Sequence, residues 1–197
     1  MEEKKVATEE ISGNEEDNQP GRGVLSAFDW FDSLALAVIV VVLLFSVVFR
    51  IPEVFGTSML PNFEEKDRVL ISCLERDFSQ NDVVVVDARG TQLGERIIKR
   101  VIATEGQTVD IDFASGVVYV DGEPLDESAY IENGSTTHFE DMQFPQVVPE
   151  GCVFVLGDNR DVSMDSRSTQ VGMIDTRYII GKVRAIVFPF AHFRLFF

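Results

Sequence analysis

Ser58 and Lys99 are the two residues whose types together suit nucleophilic catalysis. A serine hydroxyl is a poor nucleophile unless an adjacent base removes its proton. Lys99 lies within the apolar run IIKRVIA, where burial would lower its pKa from about 10.4 because desolvation disfavours the charged ammonium. A lysine that is neutral at the working pH can accept the serine proton. The alternatives are an edge strand with a solvent-exposed ammonium and a serine that only forms a turn.

The two histidines are weaker candidates for the base. His138 lies in the polar stretch GSTTHFE and His192 in the stretch FAHFRLFF, and neither has an acid and a serine arranged around it as in a strong motif. We expect each histidine to lie at the surface or to have only a packing role. A serine–lysine pair needs no histidine, so Lys99 is the predicted base for Ser58.

A third polar segment, GDNRDVSMDSR at 157–167, directly follows an apolar run. Asp, Asn and Ser side chains hydrogen-bond readily to nearby backbone groups, so the segment alone is typical of a tight turn. Its acidic and basic residues could then pair with one another as scaffolding. Its dense polar chemistry also suits a loop that orients a catalytic group.

Short β-branched runs bounded by turn residues predict the elements that position these segments. The predicted strands lie at 67–72, 82–88, 96–103, 152–159 and 178–190. Residues 109–125 predict a hairpin that turns at 114–116, and the polar residues 126–150 predict a long connection. We therefore predict a mainly β domain built from antiparallel sheet.

An apolar segment precedes this domain. Residues 33–49 contain no charged side chain. The length of this segment is close to the shortest that spans a bilayer as a helix. We predict a disordered acidic tail at 1–27 and a single transmembrane anchor at 28–50, with Trp30 as an interfacial residue. The alternatives are a buried core helix and a cleaved signal, and no A-x-A-like site follows the run.

The composition limits the partners and cofactors. The net charge of −16 argues against nucleic acid, because phosphate binding needs a basic surface. Cys73 and Cys152 lack metal-ligand spacing, so we expect two buried thiols. A disulfide between them is the alternative if the domain lies outside the cytoplasm. No metal or other cofactor is predicted. Arg22 and Arg50 lie on opposite sides of the anchor, so charge alone leaves its orientation open.

Taken in order, three segments resemble the boxes of type I signal peptidases, membrane-bound serine proteases that remove signal peptides from exported proteins. The serine box S-M-x-P-T is similar to SMLPN at 58–62, and the lysine box to KRVIA at 99–103. The last box, G-D-N-R-x-x-S-x-D-S-R, is matched by 157–167 at every fixed position. DRVLIS at 67–72 also looks like the strand after the serine box. The likeness covers residues 34 to about 185.

The resemblance implies a role for each matched residue. Ser58 would be the nucleophile and would supply one oxyanion donor from its backbone N–H. Lys99 would be the general base, and Ser163 would hydrogen-bond and orient its amine. Asp165 and Arg167 would pair and brace the site. Two further residues would help to shape it, namely Asp158 and Arg160. The pockets for the small side chains first and third before the cleavage site would be lined by Val54, Met59, Phe63 and Ile98.

The sequence departs from the family pattern in three places. Gly56 stands where some members have a serine whose hydroxyl completes the oxyanion hole, so a second donor must come from elsewhere. Asn62 replaces the usual threonine, and ATEG at 103–106 replaces the commoner G-x-P-G run. The last apolar stretch, 185–197, is too short to span a bilayer and is either a final strand or an apolar surface resting on it.

The implied fold is a signal-peptidase-like antiparallel β catalytic domain at 51–197, with a smaller β insertion at about 104–150 and one preceding transmembrane helix. The implied function is removal of signal peptides from exported preproteins through an acyl-enzyme. The expected partners are preprotein signal peptides and the lipid bilayer. The expected location is the cell membrane, single-pass, with the catalytic domain on the extracytoplasmic face.

The sequence is also compatible with other functions. One alternative is a non-catalytic scaffold of the same family, and another is a specialised peptidase with few substrates. A self-cleaving Ser–Lys regulator of the repressor type is disfavoured, because the tail holds no DNA-binding helices and a membrane anchor does not fit that class. The oligomeric state is left open.

Overall fold

The computed structural model describes residues 22–90, 93–131 and 135–196. The chain divides into two units, Met1–Val42 and Leu43–Phe197. The predicted disordered tail lies outside the described residues as far as residue 21.

The first element is a single apolar helix, α1, Arg22–Val48. Its part Asp29–Val48 is 20 residues long, which is enough to cross a hydrocarbon core, and none of its apolar window is buried. This exposure does not support the alternative of a buried core helix. The helix starts before the predicted anchor, since the residues just upstream include the strong helix formers Leu25 and Ala27. It ends at Val48 because the next two residues pair as a strand.

The remaining described residues are mainly β, as predicted. In chain order the strands are β1 Phe49–Arg50, β2 Arg68–Ser72, β3 Val83–Asp87, β4 Arg96–Thr104, β5 Thr108–Asp112, β6 Val117–Val120, β7 Glu123–Pro124, β8 Gln146–Val147, β9 Cys152–Leu156, β10 Ile174–Asp175, β11 Ile179–Phe188 and β12 Arg194–Leu195. Two 3-10 helices are Thr176–Tyr178 and Phe190–His192. The longer strands are formed by the β-branched runs of the sequence, because β-branched side chains pack well on a pleated, half-buried surface.

The larger sheet has eight strands in the order β1-β2-β11-β3-β4-β9-β10, with β12 paired to β11. All of its strand pairs are antiparallel. β4 lies between β3 and β9, with Lys99 opposite Val84 and Arg100 opposite Leu156. The lysine strand therefore lies directly beside the strand that leads into the loop at 157–167.

The smaller sheet has four strands in the order β7-β6-β5-β8. Its centre is the predicted hairpin, with Val109 of β5 opposite Val120 of β6. β8 falls within the segment predicted as a plain connection, and it pairs with β5. A two-residue strand is too short to show the alternation by which strands are recognised in sequence.

Three apolar clusters hold the sheets together. One cluster joins the two sheets through side chains that include Ile102 and Phe154 of the larger sheet and Val109 of the smaller. A register shift in β4 between Val101 and Ala103 interrupts the strict alternation, so Ile102 and Ala103 both join this cluster. The other two clusters pack on the two faces of β3 and β4.

Two open questions from the sequence concern the last stretch and the cysteines. Arg194–Leu195 pairs with β11, which confirms the final-strand alternative, while Phe190 beside it is exposed. Cys73 and Cys152 are both free thiols in the described part of the chain, as expected, but they are half-buried and not buried. Each lies at the end of a strand or just beyond it, where neighbouring side chains cover it only in part.

Candidate active site

β4 places Lys99 in a dry environment. The residue is only 3% exposed, and its Nζ lies 2.8 Å from Ser58 Oγ and 3.0 Å from the carbonyl oxygen of Ile98. Burial lowers the pKa of Lys99 from 10.5 to about 8, and nearby carboxylates, chiefly that of Asp165, partly offset this effect. A substantial fraction of the amine is therefore neutral near pH 8 and able to accept a proton from Ser58.

Ser58 lies in the loop 51–67 between β1 and β2, which we name the serine loop. Hydrogen bonds near Ser58 and between the two ends of the loop hold it beside Lys99. The backbone N–H of Asn159 donates to Ser58 O at 3.0 Å, and Asn159 Nδ2 donates to Thr57 O at 3.1 Å. The N–H of Val54 donates to the backbone oxygen of Asp67 at 2.8 Å and closes the loop. These contacts bring the serine loop and the loop 157–167 together at Lys99.

Gly56 shapes the approach to Ser58. Its φ of 78° lies in the left-handed region, which glycine adopts without steric cost. A side chain at this position would meet no atom within 4 Å of its Cβ, so the position is open. Gly56 thus contributes backbone conformation to the site and no side-chain oxyanion donor.

A buried ion pair braces the loop 157–167. Arg167 Nε lies 2.9 Å from Asp165 Oδ1, and both side chains are completely buried. The other oxygen of Asp165 accepts from the N–H of Gly157 at 3.0 Å, and Arg167 Nη2 donates to the backbone oxygens of Arg160 and Ser163. The pair therefore ties both ends of the loop to its middle.

Asp158 and Arg160 have partners that the sequence did not indicate. Asp158 accepts two hydrogen bonds from Arg100, at 2.7 and 2.6 Å, and Arg160 pairs with Glu127 at 2.5 Å. Arg100 also lies over the ring of Tyr130, at 4.2 Å from its centroid. Arg100 could have been identified as a site residue from the sequence, because it is a second cation beside Lys99 in an apolar strand. No feature of the sequence indicated Glu127.

Ser163 lies beside the dyad but is not bonded to it. Its Oγ is buried and has no hydrogen-bond partner in the described part of the chain. The hydrogen bond from Ser163 to Lys99 that the resemblance implies is therefore not formed in this structure. The role of Ser163 stays a prediction.

A cleft of about 430 Å³ opens at the Ser58–Lys99 pair. Of the four residues predicted to line pockets, Val54 and Ile98 lie on its wall. Met59 and Phe63 instead lie in the core cluster beneath, where both are almost completely buried. The backbone turns here, with Phe63 N–H donating to Met59 O at 3.0 Å, so that both side chains join the core.

Comparison with known proteins identifies the family. The model of the family described as signal peptidase, peptidase S26, matches residues 27–188. This chain belongs to the signal peptidase I family. It is therefore a serine endopeptidase and a hydrolase, as the motifs predict. The family match includes both Ser58 and Lys99.

Individual relatives of this signal peptidase come from several bacteria. It is 31% identical over 177 residues to signal peptidase I of Bacillus licheniformis, covering 86% of this chain and 92% of that protein. It is 34% identical over 171 residues to the probable signal peptidase I-1 of a Synechocystis strain, covering 80% of this chain and 82% of that protein. A crystal structure of signal peptidase I from Enterococcus faecalis V583 aligns with a TM-score of 0.43 and 30% identity, covering 54% of this chain and 96% of that one.

The remaining predicted features of this signal peptidase lie outside the dyad. α1 supplies one candidate membrane-spanning helix, which is consistent with membrane anchoring. His192 contacts Asp67 at 2.9 Å rather than Ser58. The backbone oxygen of His138 accepts from Arg167, and its side chain is exposed.

Proposed function

We propose that this signal peptidase cleaves signal peptides from exported preproteins with Ser58 as nucleophile and Lys99 as general base. The observation that supports this most directly is the 2.8 Å approach of a buried lysine Nζ to the serine Oγ. The lysine needs no charged partner to lose its proton, because burial already lowers its pKa to about 8.

In the proposed reaction Lys99 accepts the hydroxyl proton of Ser58 as Oγ attacks the carbonyl carbon of the residue before the cleavage site. The backbone N–H of Ser58 stabilises the oxyanion. The Lys99 ammonium then protonates the leaving amine as the C–N bond breaks, which leaves an ester on Ser58. Lys99 next takes a proton from water, the hydroxide attacks the ester, and the proton returns to Ser58 Oγ.

Ser163 is the proposed orienting group for Lys99. A buried hydroxyl without a partner is unfavourable, and a protonated lysine has a third N–H to donate. The side chain of Ser163 and the backbone oxygen of Ser58 both lie against Gly157, so the Ser163 hydroxyl is next to the dyad. The Asp165–Arg167 pair and Asp158 are proposed to hold the loop in which Ser163 lies.

The substrate is proposed to bind as an added strand. Within the described sheet, Arg96–Lys99 of β4 pairs only with β3, because pairing with β9 begins at Arg100. The other edge of this segment faces the cleft, where its backbone groups can pair with an extended peptide. The cleft wall of Val54, Ile98 and neighbouring apolar residues would then select small side chains.

The side of the membrane is part of the proposal. α1 would anchor the chain in a single pass, and the catalytic unit would lie on the extracytoplasmic face, where exported preproteins emerge. A protease added outside intact spheroplasts should digest the catalytic unit. Digestion only after lysis would place the unit in the cytoplasm and contradict this orientation.

The test of catalysis uses the full chain in detergent and a preprotein with an Ala-x-Ala site. We expect Ser58→Ala to lose at least about 10³-fold in kcat/KM and Lys99→Met about 10²–10⁴-fold. Lys182→Met is the matched control, because Lys182 is also buried in the sheet but pairs with Asp82 at 2.7 Å, away from the cleft. Wild-type cleavage by Ser58→Ala would overturn the mechanism, and wild-type cleavage by Lys99→Met would overturn the base alone.

A further inference from the structure

The residues after β11 turn back and pair with β11 in the larger sheet. We name residues 190–196 the β12 clasp, since they contain the second 3-10 helix and β12. Ala185 of β11 pairs with Leu195, and the N–H of Phe196 donates to the backbone oxygen of Arg184 at 2.9 Å. This pairing with β11 gives the clasp a fixed position from which its side chains reach the serine loop.

The first contact is made at the base of the serine loop. His192 Nδ1 lies 2.9 Å from Oδ1 of Asp67, which is only 2% exposed. The other carboxylate oxygen of Asp67 accepts from the N–H of Glu64 at 2.9 Å, and its backbone oxygen accepts from Val54. Glu64 also lies 3.7 Å from His192 Nε2, and the hydrogen bond to Asp67 raises the pKa of the histidine. The clasp thus binds the residue that closes the loop.

The second contact is made at Asn62. Arg194 Nη1 donates to Asn62 Oδ1 at 3.0 Å. The amide nitrogen of Asn62 donates to Asp158 Oδ2 at 2.9 Å and to the backbone oxygen of Tyr130 at 2.6 Å. An asparagine can make these three bonds at once, whereas a threonine hydroxyl has a single proton to donate. Asn62, which departs from the family's serine box, therefore connects the clasp to the loop 157–167.

The third contact is aromatic. The rings of Phe63 and Phe196 are stacked with centroids 5.0 Å apart and planes 17° apart. The guanidinium of Arg194 lies 5.4 Å from the Phe196 centroid. Phe63 is completely buried and hydrogen-bonded to Met59, the residue next to Ser58. The three clasp side chains consequently fix the loop at 62, 63 and 67, within nine residues of Ser58.

We propose that the β12 clasp positions the nucleophile, with His192, Arg194 and Phe196 as positioning residues that hold Ser58 Oγ at its distance from Lys99. The proposal rests on the proposed function, because it assumes that Ser58 is the nucleophile. The serine loop is irregular, so its geometry depends on its anchors, and a displacement of about 1 Å at a reacting group costs about 10²-fold in rate. Asn159 anchors one half of the loop and the clasp anchors the other.

The test is the pair of variants Phe196→Ala and Arg194→Ala, made separately and together in the full chain. We expect kcat on the preprotein to fall at least about tenfold in the double variant, with KM changed less than about twofold. Backbone amides at 56–67 should exchange with deuterium faster, and Phe196→Tyr should restore kcat because it keeps the ring. Phe193→Ala is the matched control, since Phe193 is 57% exposed and lies in the same clasp.

Different outcomes separate this proposal from the one it depends on. Wild-type kcat and unchanged amide exchange in the double variant would overturn the clasp, while inactive Ser58→Ala would leave the mechanism standing. Active Ser58→Ala would overturn the nucleophile assignment instead. If the double variant does not fold, Arg194→Ala alone decides, because Arg194 is exposed and its loss removes the bond to Asn62 while leaving Asn62 and its other partners in place. Wild-type kcat and unchanged exchange in Arg194→Ala would then contradict the proposal.

Discussion

Arg100 holds Asp158 in a bidentate ion pair, with Nε and Nη2 at 2.7 and 2.6 Å from the two carboxylate oxygens. Its neighbour Lys99 contacts Ser58 instead. Successive side chains of a strand point to opposite faces, so adjacent residues of β4 can serve two different loops. One strand thereby fixes the serine loop through Lys99 and the loop 157–167 through Arg100.

The pH dependence of cleavage should report the pKa of Lys99. The reactive form is the neutral amine, so kcat/KM is expected to rise with pH through about 8 and then level off. Below that pH it should fall about tenfold per pH unit, because the neutral fraction falls by that factor. Rates measured from about pH 6 to 10 test this. A rise that continues beyond pH 10 would indicate an ordinary, solvated lysine.

Removing the charge of Lys99 should stabilise the fold although it lowers activity. A pKa lowered from 10.5 to about 8 means that the folded state disfavours the ammonium, and this penalty applies most fully below pH 8 and disappears above pH 10.5. Lys99→Met should therefore raise the free energy of unfolding at pH 7 by about 1–3 kcal/mol. Urea denaturation at pH 7 measures this change. Equal or lower stability of Lys99→Met would contradict the cost assigned to the buried amine.

The Asp165–Arg167 pair should be far more important for stability than a similar exposed pair. Arg167→Met leaves a buried carboxylate without its cation, which is expected to cost about 3–5 kcal/mol. Asp175 and Arg177 have the same Asp-x-Arg spacing, but the Arg177 side chain is 83% exposed. Arg177→Met should change the free energy of unfolding by less than about 1 kcal/mol. Similar losses in the two variants, measured by urea denaturation, would refute the difference.

Gly157 should tolerate no side chain. A Cβ at this position would clash with Ser163 Oγ and lie 2.5 Å from the backbone oxygen of Ser58. Gly157→Ala is expected to displace Ser58 or Ser163 and to lower kcat at least about tenfold. Gly90→Ala is the control, because a Cβ there would meet nothing within 4 Å. Wild-type kcat in Gly157→Ala would contradict this prediction, because it would show that the serine loop and the loop 157–167 can move apart without loss of activity.

Local patterns in the sequence predicted much of this molecule. The β-branched runs predicted β2, β3, β4, β9 and β11, since strand formation follows from the alternation and shape of neighbouring side chains. The apolar run predicted α1, and two β-branched runs on either side of a turn at 114–116 predicted the hairpin of β5 and β6. The resemblance of three ordered segments to the boxes of a known family, added to an apolar run around Lys99, selected Ser58 and Lys99 among the serines and lysines of the chain.

Several short elements had no local signal. β1, β7, β8, β10 and β12 contain two residues each, and such strands exist only because a longer strand lies beside them. Met59 and Phe63 were predicted to line the cleft, yet the turn between them directs both side chains into the core. An apolar residue in a loop suits a pocket and a core equally well until the direction of its side chain is known.

The partners of the charged residues were decided only by tertiary structure. The sequence suggested that acids and bases of 157–167 pair among themselves, and this describes Asp165 with Arg167 but not Asp158 or Arg160. Asp158 meets Arg100 because β4 and β9 are neighbours in the sheet, although 58 residues separate the two in sequence. The sequence by itself determined which residue types are present and where the longer strands form. Only the sheet order and the fold-back of the β12 clasp decided which of them meet, because those contacts depend on packing between segments distant in the chain.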